Sequence, residues 1–228
     1  MDYFAWNKEY WEKGYHAVSV DHAVFRFYGR ILKPQFDLKG NYENLVDFGC
    51  GQGAAVNFFA MRGFNARGVD ISKTDIGVAQ ARYPHIADRF ENCEPRPSDN
   101  RFYGLSDDVA VVTAFQSLYY FTDTDLNECL LMLHRAMRPG GIFFATMMGE
   151  RCEEFFTNSQ PHEDGLRVVS FENQRLKVDN YYMSFVRDED DLRHKFRMFK
   201  PVHVGFYSAK FREDEGDGFH YTFCGIKE

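Results

Sequence analysis

The chain has 228 residues, of which 44% are hydrophobic and 27% charged, which is ample for the core of one ordinary domain and excludes a disordered chain. Its net charge of −7 provides no overall basic field, which argues against nucleic acid as a partner. No apolar run approaches the ~18 residues that cross a bilayer, and Met1 to Glu9 is polar and aromatic, so neither a membrane span nor a secretory leader is expected. Five scattered cysteines without a Cys-x-x-Cys pair read as free thiols in a reducing cytoplasm, with no metal site.

Residues 3–12 and 20–32 read as two short helices. Ser19 is the expected N-cap of the second, Val24, Phe27, Tyr28 and Ile31 its apolar face, and Pro34 its end. An aromatic stretch around Gly14, with Tyr15 and His16, lies between them. Next comes Leu45-Val46-Asp47-Phe48-Gly49-Cys50-Gly51-Gln52-Gly53, an apolar run that breaks into glycines and leaves through a helical pattern from Ala54. This is the signature of a buried strand, a tight turn and a helix N-terminus. Glycines let a ligand lie against the backbone, and the free amides of the helix attract its negative groups.

A second strand over 66–69 leads into Asp70, 23 residues beyond Asp47. An acidic residue at that strand tip accepts the hydroxyls of a ribose, and about 20 residues is the spacing such a site requires. Ser72-Lys73-Thr74-Asp75 has capping-box form, and Pro84 stops the helix it starts. Phe90 to Glu94 reads as a third strand, followed by a loop over 95–100. The fourth strand runs from Asp107 to Phe115, too apolar to be anything but central. Thr122 caps the next helix, and Arg138-Pro139-Gly140-Gly141 turns it into a fifth strand over 142–146. Residues 147–187 show an irregular pattern with a helical turn at 151–156, a loop at 161–165 and a strand at 180–185. A helix over 190–199 and two alternating strands at 202–207 and 219–226 complete the chain, the strands joined as a hairpin by an acidic loop.

Asp47-Phe48-Gly49-Cys50-Gly51-Gln52-Gly53 resembles motif I, acidic-x-Gly-x-Gly-x-Gly, of the class I S-adenosylmethionine-dependent methyltransferases. The helix that ends in Arg138-Pro139-Gly140-Gly141 before a strand is similar to theirs as well, and with Asp70 the resemblance covers about residues 45–147 in order. It implies a Rossmann-like α/β fold: a seven-stranded, mostly parallel sheet with an antiparallel last strand and helices on both faces. The whole of 1–228 is then a single methyltransferase domain, with an N-terminal helical lid over 1–34 and a substrate-side insertion over about 148–187.

The resemblance implies S-adenosylmethionine as cofactor, held by Asp47, Gly49, Cys50, Gly51, Gly53, Asp70 and Ile71, with Asn92, Cys93 and Ala114 near the adenine side and Arg30 as a partner for the cofactor carboxylate. His16, His162 and His220 are the candidate general bases, because histidine suits that task at neutral pH. Tyr15, Tyr119 and Tyr120 are candidates for orienting the acceptor. The chain has neither the Asp/Asn-Pro-Pro-Tyr/Phe motif of enzymes that methylate DNA amines nor the metal-binding Asp of the cation-dependent type. The expected reaction is methyl transfer to O or N of a small polar metabolite, such as a sugar, an acid or a phosphorylated intermediate, by a monomer or homodimer. Gly49-x-Gly51-x-x-Ala54 with Asp70 also permits an NAD(P)-dependent oxidoreductase, and loss of turnover would leave a non-catalytic nucleotide-binding domain.

Overall fold

The computed structural model describes residues 2–12, 20–94, 108–172, 177–211 and 216–228. The expected cap Ser19 and the loop over 95–100 lie outside them. The helices are α1 (Tyr3–Glu12), α2 (His22–Phe27), α3 (Lys33–Phe36), α4 (Ala54–Ala60), α5 (Lys73–Arg82), α6 (Asp123–Ala136), α7 (Glu153–Thr157) and α8 (Glu189–Lys195). The strands are β1 (Asn44–Phe48), β2 (Asn65–Asp70), β3 (Phe90–Asn92), β4 (Val109–Ala114), β5 (Met137–Met148), β6 (Ser159–Pro161), β7 (Leu166–Glu172), β8 (Lys177–Ser184), β9 (Lys200–Tyr207) and β10 (His220–Ile226).

Seven strands form the main sheet in the order β3-β2-β1-β4-β5-β10-β9, all parallel except β10, which runs antiparallel to both its neighbours. The strand that comes last in the chain is thus second from the edge in space. Consecutive residues of the central strands alternate between two cores, as a period of two demands. Val46, Val112 and Phe143 pack with Leu126, Leu130 and Phe196 on one face. Leu45, Val111 and Phe144 pack with Phe27, Phe59 and Ile76 on the other. Phe143 lies flat on Phe199 at 4.3 Å, and complete burial of such a ring contributes about 1.5–3 kcal/mol.

The caps read from sequence form where short polar side chains precede apolar periodicity. Ser72 accepts from Asp75 N at 3.2 Å and Thr122 from Asp125 N at 3.0 Å. Three local expectations are corrected. Asp21, not Ser19, caps α2, accepting from Ala23 N at 2.7 Å. Pro34 does not end that helical run, which continues to Phe36. A wider π turn over Tyr28–Leu32 precedes it, and the Arg30 carbonyl, four residues before the proline, accepts from the Gln35 side chain instead. Finally, the stretch between β5 and α8 is not irregular: β6, β7 and β8 make a separate three-stranded antiparallel sheet.

The N-terminal helix is tied to that small sheet. Asn7 is fully buried; its Nδ2 donates to Tyr182 O at 2.8 Å and its Oδ1 accepts from Tyr182 N at 3.1 Å, so one side chain pairs with the outer edge of β8 as a further strand would. Tyr3 donates to Asp125 and accepts from Thr122 N at 3.2 Å, fixing the start of α1 to the cap of α6. Among the described residues no helix is long and apolar enough to cross a membrane. We expect Asn7→Ala, which strands both backbone groups of Tyr182, to destabilise the protein by about 1–3 kcal/mol in denaturant titration. An unchanged midpoint would show that α1 is not held by this pair.

Candidate active site

The turn after β1 takes its shape from the end of β2. Gly49 N and Cys50 N both donate to Val69 O, at 2.9 and 3.0 Å. Gly49 has φ +71°, and a Cβ there would lie 2.3 Å from Cβ of Ser117, so this glycine is required by packing. Gly51 has φ +50° and nothing within 4 Å of where its Cβ would be. The space in front of it belongs to a cavity of about 570 Å³ that opens along the carboxyl ends of the parallel strands.

Asp70 borders this cavity with its carboxylate already oriented. Oδ2 accepts from Gly51 N and Oδ1 from Ser72 N, both at 2.8 Å. A carboxylate oxygen has two acceptor sites, so each retains one, and the pair matches two adjacent hydroxyls. Burial pushes the Asp70 carboxyl up to about 6, against the lowering effect of the two N–H donors. Asp47 is buried behind the turn, where Thr113 Oγ1 donates to it at 2.7 Å; burial outweighs that bond and raises it to about 7. Gln52 Nε2 donates to Asp75 at 3.0 Å and closes this end of the cavity.

The far end is built by other elements. Because β10 runs antiparallel, its first residue, His220, lies opposite Met148 at the end of β5 and Tyr207 at the end of β9. His220 is 6% exposed and stacks on Tyr207 at 5.3 Å. Its Nδ1 is 3.2 Å from Gly218 O, which requires the proton on Nδ1 and leaves Nε2 as the acceptor. Nε2 is buried and has no partner among the described residues. Burial lowers the pKa of this imidazole, keeping it neutral near pH 7. Gln116, at φ +54°, donates from Nε2 to Asp21 at 2.9 Å and approaches Tyr207 OH at 3.3 Å, while its backbone N is held by Thr146 Oγ1. Tyr120 sits between Tyr119 and Tyr181, at ring distances of 4.5 and 5.2 Å.

The cavity brings together many of the residues singled out from sequence. At the turn these are Asp47, Gly49, Cys50, Gly51, Asp70 and Ile71, joined by Cys93. Tyr119, Tyr120 and His220 line the opposite end. Others lie elsewhere. Gly53 starts α4 against the Phe90 ring and Ala114 is sealed inside the sheet, neither lining the cavity. Asn92 is exposed and binds the Asp70 carbonyl at 2.9 Å. Arg30 is exposed on the π turn, on a helical face that does not reach the cavity. His162 is exposed beyond β6, its ring 5.1 Å from Tyr182. Tyr15 and His16 lie outside the described residues. Asp21, Glu154, Tyr181 and Asp217 line the cavity without having been singled out. Only Asp21 carried a local signal, as an Asp directly before a helix.

The sequence of residues 20–211 matches the model of a family described as a methyltransferase domain. No curated protein gives a significant match. Among solved structures, an S-adenosylmethionine-dependent methyltransferase from Methanosarcina mazei is similar with TM-score 0.64 and 14% identity, over 85% of this chain and 97% of that one. Geranyl diphosphate C-methyltransferase from Streptomyces coelicolor A3(2), solved with Mg2+, geranyl diphosphate and S-adenosyl-L-homocysteine, has TM-score 0.58 and 14% identity over 100% and 99%. Magnesium protoporphyrin IX methyltransferase from Synechocystis PCC 6803, with bound S-adenosylhomocysteine, has TM-score 0.57 and 13% identity over 99% and 94%. At these identities the resemblance to each concerns the fold.

Two carboxyls with raised pKa values, the buried Asp47 and the half-buried Asp70, give stability a defined pH dependence. The folded chain holds their protons more tightly than the unfolded chain, whose carboxyls titrate near 3.8, so their contribution favours folding at low pH and declines from about pH 4 to about pH 7. We expect Asp47→Asn to flatten this slope, read as urea midpoints at about pH 5 and about pH 8. The same slope in variant and parent would exclude Asp47 as its source.

Proposed function

Since the chain belongs to the methyltransferase domain family, we propose that it transfers a methyl group from S-adenosylmethionine to oxygen or nitrogen of a small molecule. The observation that carries this reading is the pairing of a bare Gly51 Cα, open to the cavity, with an Asp70 carboxylate held at both oxygens by backbone amides. These residues fit the group: adjacent ribose hydroxyls find an acceptor at each oxygen, and no Cβ at Gly51 stands in the way of a ligand. Cys50, Ile71 and Cys93 would form the apolar wall around it. When bound, S-adenosylmethionine supplies a methyl carbon made electrophilic by its sulfonium.

The protein's remaining task is to position the acceptor, remove its proton and exclude water. His220 is our candidate base, because the Gly218 carbonyl fixes its tautomer and leaves the Nε2 lone pair uncommitted. Tyr119 and Tyr120 would orient the acceptor beside it. The residues between β5 and α8 contribute Glu154, Phe155 and Tyr181 to the same wall, which supports their reading as the substrate-side part of the chain. Five unpaired cysteines, four of them buried, suit a reducing compartment such as the cytoplasm.

Titration calorimetry with S-adenosylhomocysteine and with NAD(P) tests the ligand class; heat from the nicotinamide alone would overturn the reading. We expect Asp70→Ala to weaken S-adenosylhomocysteine binding about 10–100-fold without unfolding the chain. His220→Ala should leave that affinity unchanged and lower turnover about 10²–10⁴-fold once an acceptor is in hand. Full turnover in the His220 variant would leave positioning alone as the source of catalysis.

A further inference from the structure

The acceptor end of the cavity is acidic as well as aromatic. Asp21, Glu154 and Asp217 line it from three separate parts of the chain, and no lysine or arginine among the described residues does. Asp21, His22 and Asp217 all act electrostatically on His220, which places them around the same point. Asp21 is fixed by Ala23 N and Gln116 Nε2, and Asp217 by the Ser208 hydroxyl. The Glu154 carboxylate would lie 2.4 Å from a Cβ at Gly216, so glycine there makes room for it. At the centre stands an independent feature, the buried and unpartnered Nε2 of His220. Around it, the Tyr119, Tyr120 and Tyr181 rings supply faces on which a cation rests favourably.

Resting on the methyltransferase reading, we propose that the acceptor is a primary or secondary amine on an aromatic or apolar body, bound as its ammonium by Asp21 and Asp217. Among the described residues, an acid or a phosphorylated metabolite would bring its negative charge beside Asp21 and Asp217 and meet no lysine or arginine there, with His22 already paired with Asp21 at 3.6 Å, which disfavours such acceptors. The ammonium has no lone pair, so it must be deprotonated before it reacts. Its proton passes to His220 Nε2, and the electron pair left on nitrogen forms the new N–C bond. The electron pair of the breaking S–C bond stays on sulfur, which becomes a neutral thioether, and His220 returns its proton to water. A sulfonium bound in the same cavity would ease the first transfer by lowering the amine's hold on its proton, against the carboxylates, which strengthen it.

The test uses three probes of matched size, phenethylamine, phenethyl alcohol and phenylacetate, titrated by calorimetry into the full chain with and without saturating S-adenosylhomocysteine. We expect the amine to bind about tenfold or more tighter than the carboxylate, with the alcohol between. Asp217→Asn and Asp21→Asn should each weaken the amine by about tenfold and leave the alcohol unchanged. Asparagine still caps a helix, so α2 survives the second change. Phenylacetate binding as tightly as the amine, no amine binding at millimolar concentration, or variants that weaken amine and alcohol equally would overturn the proposal. Failure to bind S-adenosylhomocysteine instead overturns the methyltransferase reading, and the probes added to the protein alone still decide the charge preference.

Discussion

The Asp70 carboxylate ties two strand ends together and at the same time presents itself to the cavity. Gly51 N binds one oxygen and Ser72 N the other, so the turn after β1 and the cap of α5 are fixed by a single group. The Val69 carbonyl just before it takes the amides of Gly49 and Cys50. A turn stripped of side chains would otherwise be free to move, at the entropic cost glycine carries. Here the neighbouring strand supplies the order that the turn's own residues do not. Gly68 belongs to this arrangement, since a Cβ there would come within 2.7 Å of Cys50 Sγ and Val56.

Charge divides the cavity. At the turn, carboxyls sit with their own donors: the buried Asp47 with Thr113 and Asp75 with Gln52, and the half-buried Asp70 with two amides. At the other end, carboxylates and tyrosines lie around a neutral imidazole whose Nε2 has no partner among the described residues. The reversed direction of β10 is what joins the halves. A parallel last strand would have placed His220 at the opposite edge of the sheet, far from the carboxyl ends of β1, β4 and β5.

Features written in local sequence were legible: the glycine turn, Asp70 at its strand tip, the Ser72 and Thr122 caps, and, through the family resemblance, the seven-stranded, mostly parallel sheet with its antiparallel last strand. Features set by distant contacts were not. In the small sheet β6 has only three residues and a proline, and β7 and β8 bury no regular alternation of residues, so its cohesion comes from pairing that no single strand announces. The helix that passes Pro34 does so through a π turn, which periodicity of 3.6 cannot signal. Arg30 was placed by proximity in sequence to the first strand, yet its helix turns it to solvent. Three histidines were equivalent candidates in sequence; topology carried His220 into the cavity, left His162 outside it, and did not bear on His16, which lies outside the described residues.

The docking of α1 has a consequence for how the chain is made. Its two anchors are Asp125 and Tyr182, which lie 122 and 175 residues further along the chain. A nascent polypeptide leaving the ribosome therefore carries α1 without a resting place until it has been made as far as Tyr182. The central strand β1 meets β4 well before then, but the sheet itself stays open until β10 slots between β5 and β9. Closure of the cavity accordingly waits for β10, and a product cut before it would leave the apolar lining exposed.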